Sequence, residues 1–161
     1  MPRLLIFGNS GSGKSTLAQA KAEAWQCPHL DLDTVAWLED VAPPTRRPIP
    51  ASQALVTPFL AANDEWVIEG CYADLLDLVT PHATELIFLN PGVETCLVNS
   101  RARPWEPHKY ESPEAQQANL EMLLEWIAQY PLRDDEFSLQ AHRKLYDEFS
   151  GPKREYTSNS R

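Results

Sequence analysis

The chain is poor in the features that brace an unusual fold or anchor one in a membrane. It has three cysteines in 161 residues, Cys27, Cys71 and Cys96. Their odd number and lack of close pairing argue against a disulfide framework and against a zinc site. Reduced thiols, of the kind commonly buried in cytoplasmic proteins, are the expectation. Apolar runs stop at about six residues, far short of the ~20 that a membrane helix needs. The opening run, Met1 to Gly8, is too short for the core of a secretory signal, so a cytoplasmic location is expected. Cations are scarce as well: 14 Lys and Arg stand against 23 Asp and Glu, for a net charge of -9. A basic surface that grips long polyanions is thereby excluded. A small phosphate ligand in one pocket is not, because a pocket needs only a few cations.

What is present is an alternation of short apolar runs with longer amphipathic ones. Leu4-Leu5-Ile6-Phe7, ending at Gly8, predicts a strand buried on both faces. Lys14 to Trp25 predicts a helix, and Pro28 to Asp33 a short second strand. Trp66 to Gly70 and Glu85 to Asn90 read as two more strands, with a short helical segment, Asp74 to Leu78, stopped by Pro81 between them. Glu94 to Arg103 reads as a helix ended by Pro104. Ser112-Pro113 opens another, a hydroxyl at the cap and proline at the first helical position. Its stripe of Leu120, Leu123, Leu124 and Ile127 should face the core. A last helix is expected over Asp134 to Phe149, and an edge strand over Lys153 to Thr157. No repeat or long linker intervenes, so the chain reads as one α/β domain, 1–161, built on a parallel sheet.

Proline is in excess, 14 residues or about 9% against a usual ~5%. Pro43, Pro44, Pro48 and Pro50 crowd around Arg46 and Arg47. Pro104, Pro107 and Pro113 surround Trp105, His108 and Lys109. Both stretches read as stiffened loops rising from the C-terminal edge of the sheet, where open α/β folds bind ligands. They fall within about 38–62 and about 101–113, stretches that the family resemblance given below implies to be an acceptor-binding segment and a lid.

Gly8-Asn9-Ser10-Gly11-Ser12-Gly13-Lys14-Ser15-Thr16 is the most specific feature. It satisfies the P-loop (Walker A) pattern of Gly, four residues, then Gly-Lys-Ser or Thr, and it follows a strand and opens a helix as that pattern requires. Glycine lets successive N–H groups turn inward on phosphate oxygens. Lys14 brings a cation to the β and γ phosphates, the helix presents its positive end, and the Ser15 hydroxyl is placed to ligate Mg²⁺.

A P-loop alone does not separate a kinase from a GTPase, an ATPase or a sensor. Asp31-Leu32-Asp33 closes the second predicted strand, where alternation puts both carboxylates on one face. One would hold Mg²⁺ through water while the other accepts a hydrogen bond or a proton from an acceptor hydroxyl. The competing reading is a helix cap plus a solvated carboxylate, since a short helical run follows Asp33-Thr34. Arg101 and Arg103 lead into the lid, where arginine can neutralise charge on a transferring phosphoryl group. They also suit a solvated helix end. Arg46 and Arg47 are candidates for an anionic acceptor or for a solvated pair.

The chain resembles the small P-loop kinases of the adenylate kinase and shikimate kinase group. It is most similar to their bacterial topology-modulation-protein relatives. The resemblance is carried by Gly8 to Thr16, Leu30 to Trp37, Trp66 to Tyr72, Leu86 to Asn90 and Arg101 to Pro104, which together span most of the chain. It implies a three-layer P-loop NTPase fold with a five-stranded parallel sheet of order 2-3-1-4-5. It further implies ATP and Mg²⁺ as cofactors, ATP rather than GTP because no Asn-Lys-x-Asp motif is present. By comparison with shikimate kinases, Asp33 would contact the acceptor, Asp31 would lie near Mg²⁺, and Arg101 or Arg103 would be the lid arginine. Lys14 would join them in catalysis, with Gly70 and Tyr72 beside the acceptor. The chain departs from both groups after the third strand. Glu69-Gly70-Cys71-Tyr72 stands where shikimate kinases carry three glycines and adenylate kinases carry Asp-Gly-Phe-Pro-Arg. A transfer of the γ-phosphate to a small molecule or a nucleoside monophosphate is therefore implied, with the acceptor open. The competing functions are a non-catalytic nucleotide-binding regulator and a nucleotide-dependent factor acting on DNA topology.

Overall fold

The computed structural model describes residues 1–159. The apolar runs become a five-stranded, all-parallel sheet in the order β2-β3-β1-β4-β5. The strands are β1 (Arg3–Gly8), β2 (His29–Asp31), β3 (Trp66–Gly70), β4 (Glu85–Leu89) and β5 (Lys153–Tyr156). Alternation divides their side chains between two cores. Leu5, Phe7, Trp66, Ile68, Leu86 and Phe88 face one side, while Leu4, Ile6, Val67, Ile87 and Leu89 face the other. The second face is covered by Ala18 and Ala22 of α1 (Lys14–Trp25). The first is covered by Leu75, Leu76 and Val79 of α4 (Ala73–Val79) and Leu145 of α7 (Leu139–Glu148). Between β2 and β3 run α2 (Asp33–Ala36) and α3 (Ile49–Ala62); α5 (Val93–Arg101) and α6 (Pro113–Ala128) follow β4.

Several boundaries differ from expectation. β2 ends at Asp31, and Asp33 is the first residue of α2. The two aspartates therefore do not share a strand face. The turn is held by Asp31 itself, whose Oδ1 accepts from the Asp33 N–H at 2.9 Å, a local bond that competes with strand pairing. The first proline cluster is not loop throughout. Pro48 and Pro50 flank the start of α3, where a missing N–H costs nothing. Residues 134–138 stay out of α7, because Asp135 Oδ1 accepts from Phe137 N–H at 3.0 Å and the Ser138 hydroxyl caps the helix from Ala141 N–H at 3.0 Å. At the other edge, Arg143 of α7 holds Glu155 of β5 through two 2.8 Å bonds, which secures a strand of polar sequence. Among the described residues no helix is long and apolar enough to cross a membrane.

Candidate active site

The site is built at the C-terminal edge of the sheet, where the P-loop leaves β1. A Cβ at Gly8 would lie 2.3 Å from the Leu89 carbonyl oxygen, and one at Gly11 would lie 2.5 Å from that of Cys96. Only glycine lets the loop pass so close to β4 and α5. The loop is also tied from outside. Asn99 Nδ2 of α5 donates to the Gly11 carbonyl at 2.8 Å, and buried Asn9 donates through Nδ2 to the Ile127 carbonyl of α6 at 3.3 Å. Lys14 Nζ donates to the Asn9 carbonyl at 2.8 Å, so the cation lies folded over its own loop. Ser10 lies half-buried in the loop and Ser12 is buried, while Thr16 is exposed. Gly13 precedes α1 with φ at 94°. No acidic residue stands in the first turn of α1, which leaves its positive end for an anion.

Ser15 Oγ donates to Glu69 Oε1 at 2.8 Å, and Glu69 Oε2 lies 2.8 Å from His29 Nε2. Glu69 is only 2% exposed, and its hydrogen bond to His29 raises the histidine pKa. Sequence reasoning passed over Glu69 as a site residue. The available signal was a carboxylate closing the apolar run Trp66-Val67-Ile68 in a strand buried on both faces, where it must find a partner. Ser15, Glu69 and Asp31 supply oxygen donors, the kind that Mg²⁺ takes. Among the described residues no cluster of three metal-ligating side chains exists.

Leu32, fully buried, packs against Gly70 so closely that a Cβ there would stand 2.8 Å from the leucine side chain. Gly70 thus sets the turn that carries both aspartates. Burial, then the charges of Asp33 and Glu69, push Asp31 up to about 6. Asp33 goes the other way. Burial opposes its charge, but the ammonium of Lys109, hydrogen bonds from Lys109 and Tyr72, and the charge of Lys14 hold it below the usual carboxylate range. Its Oδ2 accepts from Lys109 Nζ at 2.7 Å and its Oδ1 accepts from the Tyr72 hydroxyl. Tyr72 is itself fixed by Trp37, whose Nε1 donates to its oxygen at 2.8 Å. Burial foremost raises the Tyr72 pKa, so the phenol remains a donor.

Within each arginine pair the two members have different surroundings. Arg46 donates to both Asp74 carboxylate oxygens at 3.0 and 3.3 Å, to Glu136 at 3.3 Å and to the Ala36 carbonyl at 3.2 Å. Its guanidinium also lies 4.7 Å from the Tyr72 ring centre. It fastens the wall behind Tyr72. Arg47 donates through Nη2 to the Trp37 carbonyl at 3.0 Å, and its Nε is buried without a hydrogen-bond partner among the described residues. Arg101 is exposed and makes no ion pair among the described residues, and Arg103 Nε pairs with Glu106 at 3.3 Å. From the 101–113 stretch the cation that reaches Asp33 is Lys109. Lysine is common on polar loops, and nothing in the local sequence points it at a residue 76 positions away.

Neither a protein-family model nor a curated protein matches the sequence. Solved structures do. A shikimate kinase from Bacteroides thetaiotaomicron superposes with a TM-score of 0.55 at 16% identity, over 98% of this chain and 86% of that one. TT1252 from Thermus thermophilus does so with a TM-score of 0.53 at 17% identity, over 98% of this chain and 90% of that one. At such identities the likeness concerns architecture. The parallel sheet of order 2-3-1-4-5, with the Gly8–Thr16 loop after its central strand, matches the P-loop NTPase fold of that shikimate kinase.

Proposed function

We propose that the protein is an ATP- and Mg²⁺-dependent phosphotransferase that moves the γ-phosphoryl group to a hydroxyl of a small acceptor. The reading is carried by one convergence: Asp33, half-buried at one edge of the sheet, is held ionised by the nearby charge of the P-loop lysine and by Lys109, which bonds it from the 101–113 stretch at 2.7 Å. The loop backbone and Lys14 bind the β and γ phosphates, Lys14 turning from the Asn9 carbonyl to the ligand. Ser15, backed by Glu69 and with Asp31 close by, would hold Mg²⁺, which supplies charge neutralisation at the phosphate oxygens. Asp33 orients the acceptor hydroxyl and takes its proton. Arg47, with its unpaired buried N–H, is the candidate for an anionic group on the acceptor. Because phosphoryl transfer depends on positioning and electrostatics, Lys14→Ala should cost more activity than Asp33→Asn.

The test has two stages. Calorimetric titration should show Mg²⁺-dependent ATP binding that Lys14→Ala abolishes. A thermal-shift screen of hydroxy acids, polyols and nucleoside monophosphates, run with a non-hydrolysable ATP analogue, should then find an acceptor that raises Tm by mass action. A parent protein that binds no nucleotide would sink the reading.

A further inference from the structure

The lid is a built object rather than a slack loop. Glu106 gathers Arg103, Lys109 and His108 at 3.3, 3.4 and 3.6 Å. Its carbonyl accepts from the N–H groups of Lys109 and Tyr110 at 3.0 Å each. Gln116 of α6 bonds the lid twice, accepting from Glu106 N–H at 2.8 Å and donating to the Pro104 carbonyl at 3.1 Å. Asn119, one turn on, donates to the Tyr110 hydroxyl at 2.9 Å. The far end of the same helix accepts from Asn9 of the P-loop. Lid, α6 and P-loop are therefore one connected body, and Lys109 is the side chain by which it reaches Asp33.

Asp33 has both oxygens occupied, and the two contacts are unlike. Tyr72 is 3% exposed and held by Trp37. Lys109 and Asp33 are 28% and 34% exposed, and their bond spans the boundary between lid and body. Each oxygen can accept a second hydrogen bond, and a hydroxyl that is to give its proton to Asp33 has its open approach on the exposed side, at Oδ2, where the Lys109 ammonium lies.

Resting on the phosphotransferase reading, we propose that Lys109 is the lid's acting cation and that the acceptor hydroxyl enters by inserting between Lys109 and Asp33 Oδ2. Displaced by the width of one hydroxyl, the ammonium stays beside the oxygen that is losing its proton and faces the incoming phosphoryl group. In the transfer the acceptor O–H bond breaks and its proton passes to Asp33. An O–P bond forms to the γ-phosphorus, whose bond to the bridging oxygen breaks, and ADP leaves with that electron pair. Arg101 and Arg103 stand outside this exchange. Lys109 thus links closure of the lid to occupation of the acceptor place.

The probe is ADP with Mg²⁺, titrated with and without aluminium fluoride, which mimics the transferring phosphoryl group with water as acceptor. In the parent protein, aluminium fluoride should tighten ADP binding. Lys109→Met should bind plain ADP like the parent, which also shows that the P-loop is folded, yet lose about 10- to 100-fold of that tightening, the effect of removing one charge-stabilising donor. Lys109→Arg should recover part of it and Arg101→Ala should keep all of it. Hydrogen exchange of the lid amides of residues 105, 106 and 108–111 should quicken in both Lys109→Met and Asp33→Asn. Retained tightening in Lys109→Met, its loss in Arg101→Ala, or unchanged lid exchange would each overturn the proposal. Absence of ADP binding by the parent would instead overturn the phosphotransferase reading beneath it, and is told apart because it appears before any substitution.

Discussion

Arg46 is joined to Trp37 by an isolated antiparallel bridge. Arg46 and Arg47, adjacent in sequence, take different partners, Asp74 and Glu136 for the first and the Trp37 carbonyl for the second. Arg46 joins two carboxylates, a carbonyl and an aromatic ring, a set that needs the planar fork of a guanidinium. Arg46→Lys should destabilise the fold by about 1–3 kcal/mol, the cost of leaving such partners unmet, as a lower urea midpoint. Arg47→Ala should leave that midpoint close to the parent's while weakening the thermal shift given by an acceptor. Glu69 makes the same point inside the sheet. Glu69→Ala strips both His29 and Ser15 of their partner and should cost about 1–3 kcal/mol. Glu69→Gln keeps the shape and should instead weaken the Mg²⁺ dependence of ATP-analogue binding, read by titrating Mg²⁺ at a fixed analogue concentration.

Among the elements, the strands were legible because burial on both faces leaves an uninterrupted apolar run. The capped α6 was legible from Ser112-Pro113, and Ser112 Oγ does accept from Ala115 N–H at 3.0 Å. The segment between β2 and β3 was not. Its prolines suggested a loop, yet two of them start α3 and a third, Pro58, lies inside it. Tertiary contacts override that local preference: Ser52 and Val56 are buried, and Ser52 Oγ donates to the Val35 carbonyl at 2.8 Å. Pro58 removes the N–H that the Ala54 carbonyl would accept in a regular helix, a defect worth up to ~3 kcal/mol. Proline also restricts the unfolded chain. The expected net effect of Pro58→Ala is a gain of about 1 kcal/mol, measured by urea unfolding. The residues 134–138, expected to be helical, form instead the turn that delivers Glu136 to Arg46 and lends its carbonyl to Ala73 N–H at 2.8 Å. Asx-type bonding at Asp135 decided this over helical periodicity.

At the scale of the whole molecule, His142 makes stability depend on pH. It is fully buried between the Cys71 carbonyl at 2.8 Å and the Tyr130 hydroxyl at 2.7 Å. A carbonyl only accepts, so the ring proton sits on Nε2 and Nδ1 accepts from Tyr130. Burial, against the pull of the Cys71 bond, lowers this pKa from 6.5 to about 4. The unfolded chain therefore binds the extra proton between those values and the folded one does not, so stability is full above pH 6.5 and falls as pH drops toward 4. The loss is on the order of 3 kcal/mol. Asp31, raised to about 6, works the other way over the same range, and His29, raised by Glu69, does so at its upper end. The contribution of His142 is therefore read by difference: as pH falls, the parent's urea midpoint should lose ground relative to that of His142→Gln. The same histidine joins α7 to the loop that carries Tyr72, so acid should loosen the acceptor side of the site as well.

The net charge of -9 set no obstacle to a phosphate site, because the relevant cations are few and local. The sequence by itself determined the P-loop pattern and the parallel sheet, and it marked Asp31 and Asp33 as a place of interest while setting both on one strand. Each of these is written in contiguous residues whose spacing constrains the backbone directly. Only the tertiary structure decided which charges meet. Ser15 found Glu69 across 54 positions, Arg46 found Glu136 across 90, and Lys109 rather than either lid arginine found Asp33. Such pairings depend on how returning chain segments lie in space and on which charges burial leaves in need of a partner. Neither quantity has a local period for a sequence to display.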